Sequence, residues 1–414
     1  MRKQILAIGA ILFSTALYIV GNGLIGVLIP VRAHLEGFSN LALGVIGSAY
    51  FAGFVVGCFA GPRLLARVGH SRTFAVGAGI SAASVLLQSM FVSEFLWIVL
   101  RGAFGLAAAC IYMVIESWLN DRATNENRGR MFSTYLTVNF ASIIAGQMLF
   151  GTANPSSFAL FSLAAILYAL CLIPMGLTQL PPPHAAHVPA LRPLRLFAIS
   201  PVGVMGCVAV GFANSAVWAL APVYAQAHGL NKGWIAVFMS VFTLGGALIQ
   251  LPLGRWSDRV DRRVIIAGIC VLACLCGIAL ATFGGAHRWT ILPLIGVFGT
   301  VALPLYGMSV AHTNDRISRE SFVETSATLL LINSLASVLG PTVAAVIMGL
   351  AGTQALFLYT ATIHAAMAAF AIARLSLRHE ALGTHRDPYE PQPQQATLAT
   401  AEFDPRSGEE KTAA

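Results

Sequence analysis

Residues 102–122 read GAFGLAAACIYMVIESWLNDR, and residues 296–316 read GVFGTVALPLYGMSVAHTNDR. At an offset of 194, Gly102, Phe104 and Gly105 meet Gly296, Phe298 and Gly299, and Tyr112 meets Tyr306. Asn120, Asp121 and Arg122 then meet Asn314, Asp315 and Arg316. Further out, Asn139 meets Asn333 and Gly146 meets Gly340, while a shift of 192 aligns Asn22 with Asn214, Pro30 with Pro222, Ser48 with Ser240 and Gly53 with Gly245. An ordered set of matches at nearly constant offset is the mark of an internal duplication.

The duplicated unit is hydrophobic. Of 414 residues 57% are hydrophobic and only 10% charged, so too few polar groups remain to cover a soluble surface. A ruler of about 20 residues per crossing gives twelve apolar segments, near 5–31, 41–62, 73–92, 95–119, 131–151, 157–178, 197–225, 233–254, 264–284, 289–311, 324–349 and 354–373. The basic start, MRKQILAIGAILFSTALYIV, leads into GNGLIGVLIP and is long enough to span, so it reads as the first transmembrane helix rather than a removable signal.

Twelve crossings put both ends on one side. With that side cytoplasmic, 21 of the 25 Lys and Arg fall in cytoplasmic segments, leaving Arg32, Lys232 and Arg288 outside and Arg101 within a helix. This is the positive-inside distribution. It accounts for the +8 net charge by topology and anionic lipid, and gives no case for nucleic acid. The expected organisation is a six-helix half over 1–178, a Pro-rich linker over 179–196, a second half over 197–376 and a polar, disordered cytoplasmic tail over 377–414. The fold class is thus all-α integral membrane, twelve transmembrane helices in two pseudo-symmetric halves. Such halves place a substrate site at the midplane and rock about it.

All seven cysteines lie in apolar runs, and neither His nor acid joins Cys270, Cys274 and Cys276 at ligand spacing, so no metal site is expected. No phosphate loop, HExxH pattern or nucleophile constellation is present, which argues against an enzyme and against a cofactor. Gly53, Gly57 and Gly61 form a small-xxx-small stripe on the second helix. It is read as a packing face where the halves slide.

Two ionisable side chains sit within apolar runs away from loops, Arg101 and Glu116, both on the fourth helix. A charge near the bilayer centre costs about 2.5 to 3.5 kcal/mol on insertion scales, so such groups face a cavity or a partner. Glu116 is either a proton- or substrate-coupling acid or a structural partner for Arg122 or Arg128. Arg101 either meets an anionic substrate or a coupling proton, or packs. Tyr112, one turn before Glu116, lies on its face.

The stretch GRWSDRVDRR, 254–263, follows the eighth helix. On it the chain resembles the major facilitator superfamily, whose loop signature is matched by Gly254, Asp258, Arg259, Arg262 and Arg263, with Asp261 in place of the second glycine. In the first-half copy, GPRLLARVGHSR, Arg67 matches Arg259 but Ala66 stands where Asp258 would be. IVLRGAFGLAAAC, 98–110, is similar to the family's fourth-helix motif, whereas Gly146-Gln147 departs from the Gly-Pro motif of the fifth helix in drug antiporters. IESWLN, NRGR and PLYGMSVAHTND look like the YcaD-like bacterial subgroup. The resemblance implies a cavity lined by the first, fourth, seventh and tenth helices, which carry Asn22, Tyr112, Glu116, Asn214, Trp218 and Tyr306. It also implies that Asp258, beside Arg259, engages the start of the fifth helix, which carries Arg128 and Arg130. The first-half loop departs from that pattern, offering Arg63, Arg67 and Arg72 without an acid, while Glu320 and Glu324 stand at the start of the eleventh helix. The expected inside lock is therefore crossed in polarity, with the base on this loop facing the acids of the eleventh helix.

The expected function is a secondary active carrier of the bacterial inner membrane, acting as a monomer on a small organic solute and coupled to protons. A facilitated uniporter and a non-transporting membrane sensor stay open beside it.

Overall fold

The computed structural model describes residues 2–124, 126–177, 183, 191–284, 287–317, 321–377, 389–393 and 396–407. In chain order its helices are α1 (Arg2–Leu35), α2 (Asn40–Val68), α3 (His70–Met90), α4 (Glu94–Arg122), α5 (Arg128–Phe150), α6 (Ala159–Leu170), α7 (Leu172–Gly176) and α8 (Pro193–Ile199). Then come α9 (Pro201–Ala227), α10 (Lys232–Ser257), α11 (Arg262–Phe283), α12 (Arg288–Ala302), α13 (Leu305–Asn314), α14 (Phe322–Ala351), α15 (Ala355–Leu377) and α16 (Leu398–Phe403). No strand occurs among the described residues.

Eleven of these helices, counting α6 with α7 and α12 with α13 as single crossings, are long and apolar enough to span a membrane. The chain is a multi-pass membrane protein. Twelve segments were expected, and the one that falls short in apolarity is α5, whose 23 residues include Ser133, Thr134, Thr137, Asn139, Ser142 and Gln147. At 1.5 Å per residue α5 is still about 34 Å long, enough to cross. Asn139, Ser142 and Gln147 are buried. The exposed Thr134 and Thr137 hydroxyls bond the carbonyls of Arg130 and Ser133 at 2.8 and 2.9 Å, so they present no bare donor to lipid.

Two compact units are distinguished. One comprises Met1–Phe38, Ala49–Pro189 and Gln395–Ala414, and the other Ser39–Ser48 and Ala190–Gln394. The division follows the sequence halves except that the start of α2 groups with the second unit and the end of the tail with the first. Within the second unit, Gly44 and Gly47 leave room for Pro341 and Ala345 of α14, and the Ser48 hydroxyl meets that of Thr342 at 2.7 Å.

The same helix crossings recur inside each unit. In the first, Gly53 faces the Gly102 carbonyl, Gly105 that of Tyr50 and Gly146 that of Val20. In the second, Gly245 faces the Gly296 carbonyl, Gly299 that of Phe242 and Gly340 that of Phe212. Every glycine and every carbonyl in the second set is the repeat mate of one in the first. A Cβ at any of the six would overlap backbone, so the duplicated glycines hold the first helix against the fifth, and the second against the fourth, at backbone distance. The stripe on α2 belongs to this scheme. Gly53, Gly57 and Gly61 pack on Gly102, Leu106 and Met113 of α4, inside one unit, rather than forming a sliding face between halves.

Candidate functional site

Ser93 starts α4 by accepting from the Leu96 amide, and the helix runs without interruption to Arg122. Its second half is buried almost all round, from Ala107 to Leu119. Glu116 lies in that stretch with no exposed surface. Its Oε1 accepts from the Tyr135 hydroxyl of α5 at 3.0 Å, and its Oε2 accepts from the Thr397 hydroxyl just ahead of α16. The arginines expected as structural partners are engaged elsewhere. Arg122 pairs with Asp121 at 3.4 Å, and Arg128 donates to Asn120 Oδ1 at 2.6 Å and to the Glu402 carbonyl at 2.8 Å. Hydroxyls, that of Thr400 in α16 among them, therefore solvate a buried carboxyl without neutralising it.

Nearer the middle of the same unit, Asn22 of α1 donates to the Tyr112 hydroxyl at 3.3 Å and accepts from that of Tyr168 at 3.1 Å. Tyr18 stands edge-on to Tyr112, ring centroids 6.1 Å apart, and 5.2 Å from Tyr168. Beyond them the Arg101 guanidinium lies over the rings of Tyr50 and Phe104, at 4.8 and 5.2 Å. Cation–π contact is a low-dielectric substitute for an anion. Arg101 Nε, by contrast, is buried with no hydrogen-bond partner among the described residues. The structure thus joins Asn22 to Tyr112, whereas Arg101 and Glu116, at opposite ends of α4, do not pair.

In the second unit Asn214, repeat mate of Asn22, donates to the Ala302 carbonyl at 3.0 Å. That carbonyl ends α12. The chain turns through Leu303 and Pro304 before α13 resumes. Proline has no N–H to continue the ladder, and the last carbonyls of a helix need outside donors. Asn214 supplies one. Both repeat-matched asparagines therefore tie the first helix of their half to the fourth. Trp218 packs on Phe242 with centroids 5.2 Å apart, and Tyr306 lies half-buried on the cluster of Leu196, Val204, Cys207, Val310 and Leu329. The break at Pro304 was not singled out in the sequence, although a proline inside an apolar run is a readable signal.

The loop signature resolves into a buried ion cluster. Arg262 is 2% exposed, and its guanidinium meets Asp258 at 2.9 Å and Asp315 at 3.0 Å. Asp258 also accepts from the Tyr389 amide at 3.0 Å. Arg262 was read only as part of the motif, and the pairing with the repeated Asn-Asp-Arg was missed. At the corresponding first-half positions stand Ala66 and His70, the latter packed on Trp118 with centroids 5.8 Å apart. Of the other gating candidates, Arg67, Arg130 and Arg259 are exposed and Glu324 pairs with Arg192 at 3.2 Å. Glu320 lies outside the described residues.

Asp261, in the place of the motif's second glycine, caps α11. It accepts from the Arg263 amide at 2.9 Å and from its guanidinium at 2.7 Å. Partial burial would raise its pKa, but the Arg263 hydrogen bonds outweigh that and hold the carboxyl below the ordinary value. A depressed folded pKa gives stability that is present above the unfolded pKa of about 3.9 and is lost as pH falls through the folded value. The melting-temperature deficit of Asp261→Asn should accordingly be constant above about pH 5 and close below about pH 4. A deficit that grows towards acid pH would contradict this.

Comparison with known proteins places this arrangement. The family profile described as Major Facilitator Superfamily matches residues 11–323 and again 210–405. An uncharacterized MFS-type transporter of Enterobacter sp. (strain 638) is 24% identical over 364 residues, covering 87% of this chain and 92% of its own. The YcaD transporter of Escherichia fergusonii is 23% identical over 362 residues, with the same coverage. Among solved structures, the nucleoside transporter NupG superposes with a TM-score of 0.73 at 14% identity, over 91% of this chain and all of its own. A bacterial homolog of the human lysosomal transporter Spinster, inward-facing and occupied, gives 0.69 at 16%, over 89% and 94%. The duplicated helices, the loop signature with its buried arginine and the matched profile converge: the chain belongs to the major facilitator superfamily.

Proposed function

We propose that this protein is a proton-coupled secondary transporter that carries a small organic solute across the bacterial inner membrane by alternating access, with both termini cytoplasmic and the monomer as the working unit. The observation that carries the reading is Glu116, a carboxyl with no exposed surface inside α4, held by the hydroxyls of Tyr135, Thr397 and Thr400 and by no arginine. A buried acid with neutral partners can exchange a proton without breaking an ion pair, which suits it to coupling. The superfamily membership and the absence of any nucleophile constellation in the sequence support a transporter rather than an enzyme.

The solute contacts in this reading are Asn22, Tyr112 and Arg101 in the first half and Asn214, Trp218 and Tyr306 in the second. Amides, phenols and rings suit a polar or amphipathic solute, and the unpartnered Arg101 Nε suits an acceptor atom on it. During the cycle Asp258, Arg128 and Arg130 exchange partners, as do Arg67, Glu320 and Glu324.

The test begins with a thermal-shift screen of the purified protein against nucleosides, amino acids, sugars, carboxylates and organic cations. The stabilising compound is then followed, radiolabelled, into proteoliposomes with and without an imposed pH gradient. Accumulation above the external concentration with the gradient, and simple equilibration without it, is the expected result. Equilibration in both cases would identify a uniporter, and no uptake in either a sensor.

A further inference from the structure

The composition of the tail predicts disorder, yet residues 396–401, 403 and 404 are buried within the first unit. Buried polar groups persist when hydrogen-bonded, and the hydroxyls of Thr397 and Thr400 and the carboxylate of Asp404 are. The Thr397 hydroxyl accepts from the Ala399 amide at 3.2 Å and donates to Glu116, so the carboxyl completes the cap of α16. Thr400 returns the favour by accepting from the Thr397 amide at 2.7 Å. Asp404 pairs with Arg406 at 2.6 Å. The Glu402 carbonyl takes the Arg128 guanidinium at 2.8 Å. The apolar anchor is Phe403, whose ring meets Phe132 and Tyr135 with centroids 5.3 and 6.1 Å away. Tyr135 is also a donor to Glu116, as is Thr400 of the segment itself.

We infer that the first half carries a docking site for the chain's own segment 396–407, built from Glu116, Arg128, Phe132 and Tyr135, and that the docked segment closes Glu116 off from solvent. Satisfied polar contacts on a fixed register, with one aromatic anchor, distinguish this from loose collapse of a tail on an apolar wall. Glu116 has two states in consequence, capped by Thr397 or reachable. The effect of the cap on transport rests on the coupling role proposed above. The existence of the cap does not, so the two can fail separately.

The test measures how fast a hydrophobic carbodiimide modifies Glu116, read by mass spectrometry of the peptide that contains it, with Glu116→Gln as the unreactive control. In the full chain, Thr397→Val combined with Phe403→Ala should speed modification about tenfold, since one charge-assisted hydrogen bond and the anchor are lost. A chain ending at Leu377 should match the double variant, and a synthetic peptide of residues 389–407 added to it should restore the slow rate, which a scrambled peptide should not. Equal rates in the full chain, the double variant and the shortened chain would overturn the docking site. So would slowing by the scrambled peptide.

Discussion

Arg262→Met should lower the melting temperature of the detergent-solubilised protein by about 5 °C, whereas Arg259→Met, three residues earlier in the same loop, should leave it within about 1 °C. The side chain of Arg262 is 1% exposed and lies between two carboxylates, Asp258 at 2.9 Å and Asp315 at 3.0 Å. Removing it leaves two acids facing one another in a low-dielectric setting, and breaking a buried pair in this way costs about 3 to 5 kcal/mol. Arg259 is exposed, where a charge is worth little. Asp315→Asn should fall between them and below Asp258→Asn, because Asp315 is the less exposed acid, 15% against 31%. Equal melting temperatures for the Arg262 and Arg259 variants would contradict the cluster.

Glu116→Gln should reduce gradient-driven accumulation of solute at least about tenfold while leaving solute exchange across the membrane near the wild-type rate. The amide keeps the size of the side chain and one acceptor oxygen, so Tyr135 or Thr397 still finds a partner. It cannot bind and release a proton. A merely structural acid would behave differently: exchange and accumulation would fall together, or neither would change. The comparison therefore separates coupling from folding within one variant.

Much of this protein is legible in its amino-acid sequence. The repeat at 192 to 194 residues fixed which glycines would share a role, and each pair sits at the same crossing of its own half, Gly146 on α1 and Gly340 on α9. Apolar length accounts for eleven crossings, and α5, less apolar, is long enough to be a twelfth because a helix can carry Ser and Thr in lipid when their hydroxyls bond its own carbonyls. The intramembrane charges were visible for the simple reason that they are rare. Their partners were not. Tyr135 and Thr397 reach Glu116 across 19 and 281 residues of chain, and a hydroxyl donor leaves no spacing pattern. The composition of the segment around Thr397 predicts disorder because it offers little apolar surface. Its burial depends on a docking site whose key acid belongs to another helix. The Arg262 cluster was half visible. The signature and the repeated Asn-Asp-Arg were each noted, but only the fold brings Asp315 to Arg262.

The most direct measurement follows solute and protons together. Proteoliposomes holding a pH-sensitive dye are given the labelled solute at equal pH on both sides, and uptake and internal pH are recorded at once. Wild-type protein should move the internal pH in step with solute entry, and Glu116→Gln should admit solute with no pH change. Solute entry without proton movement in the wild type, or unaltered proton movement in the Glu116 variant, would contradict Glu116 as the coupling acid.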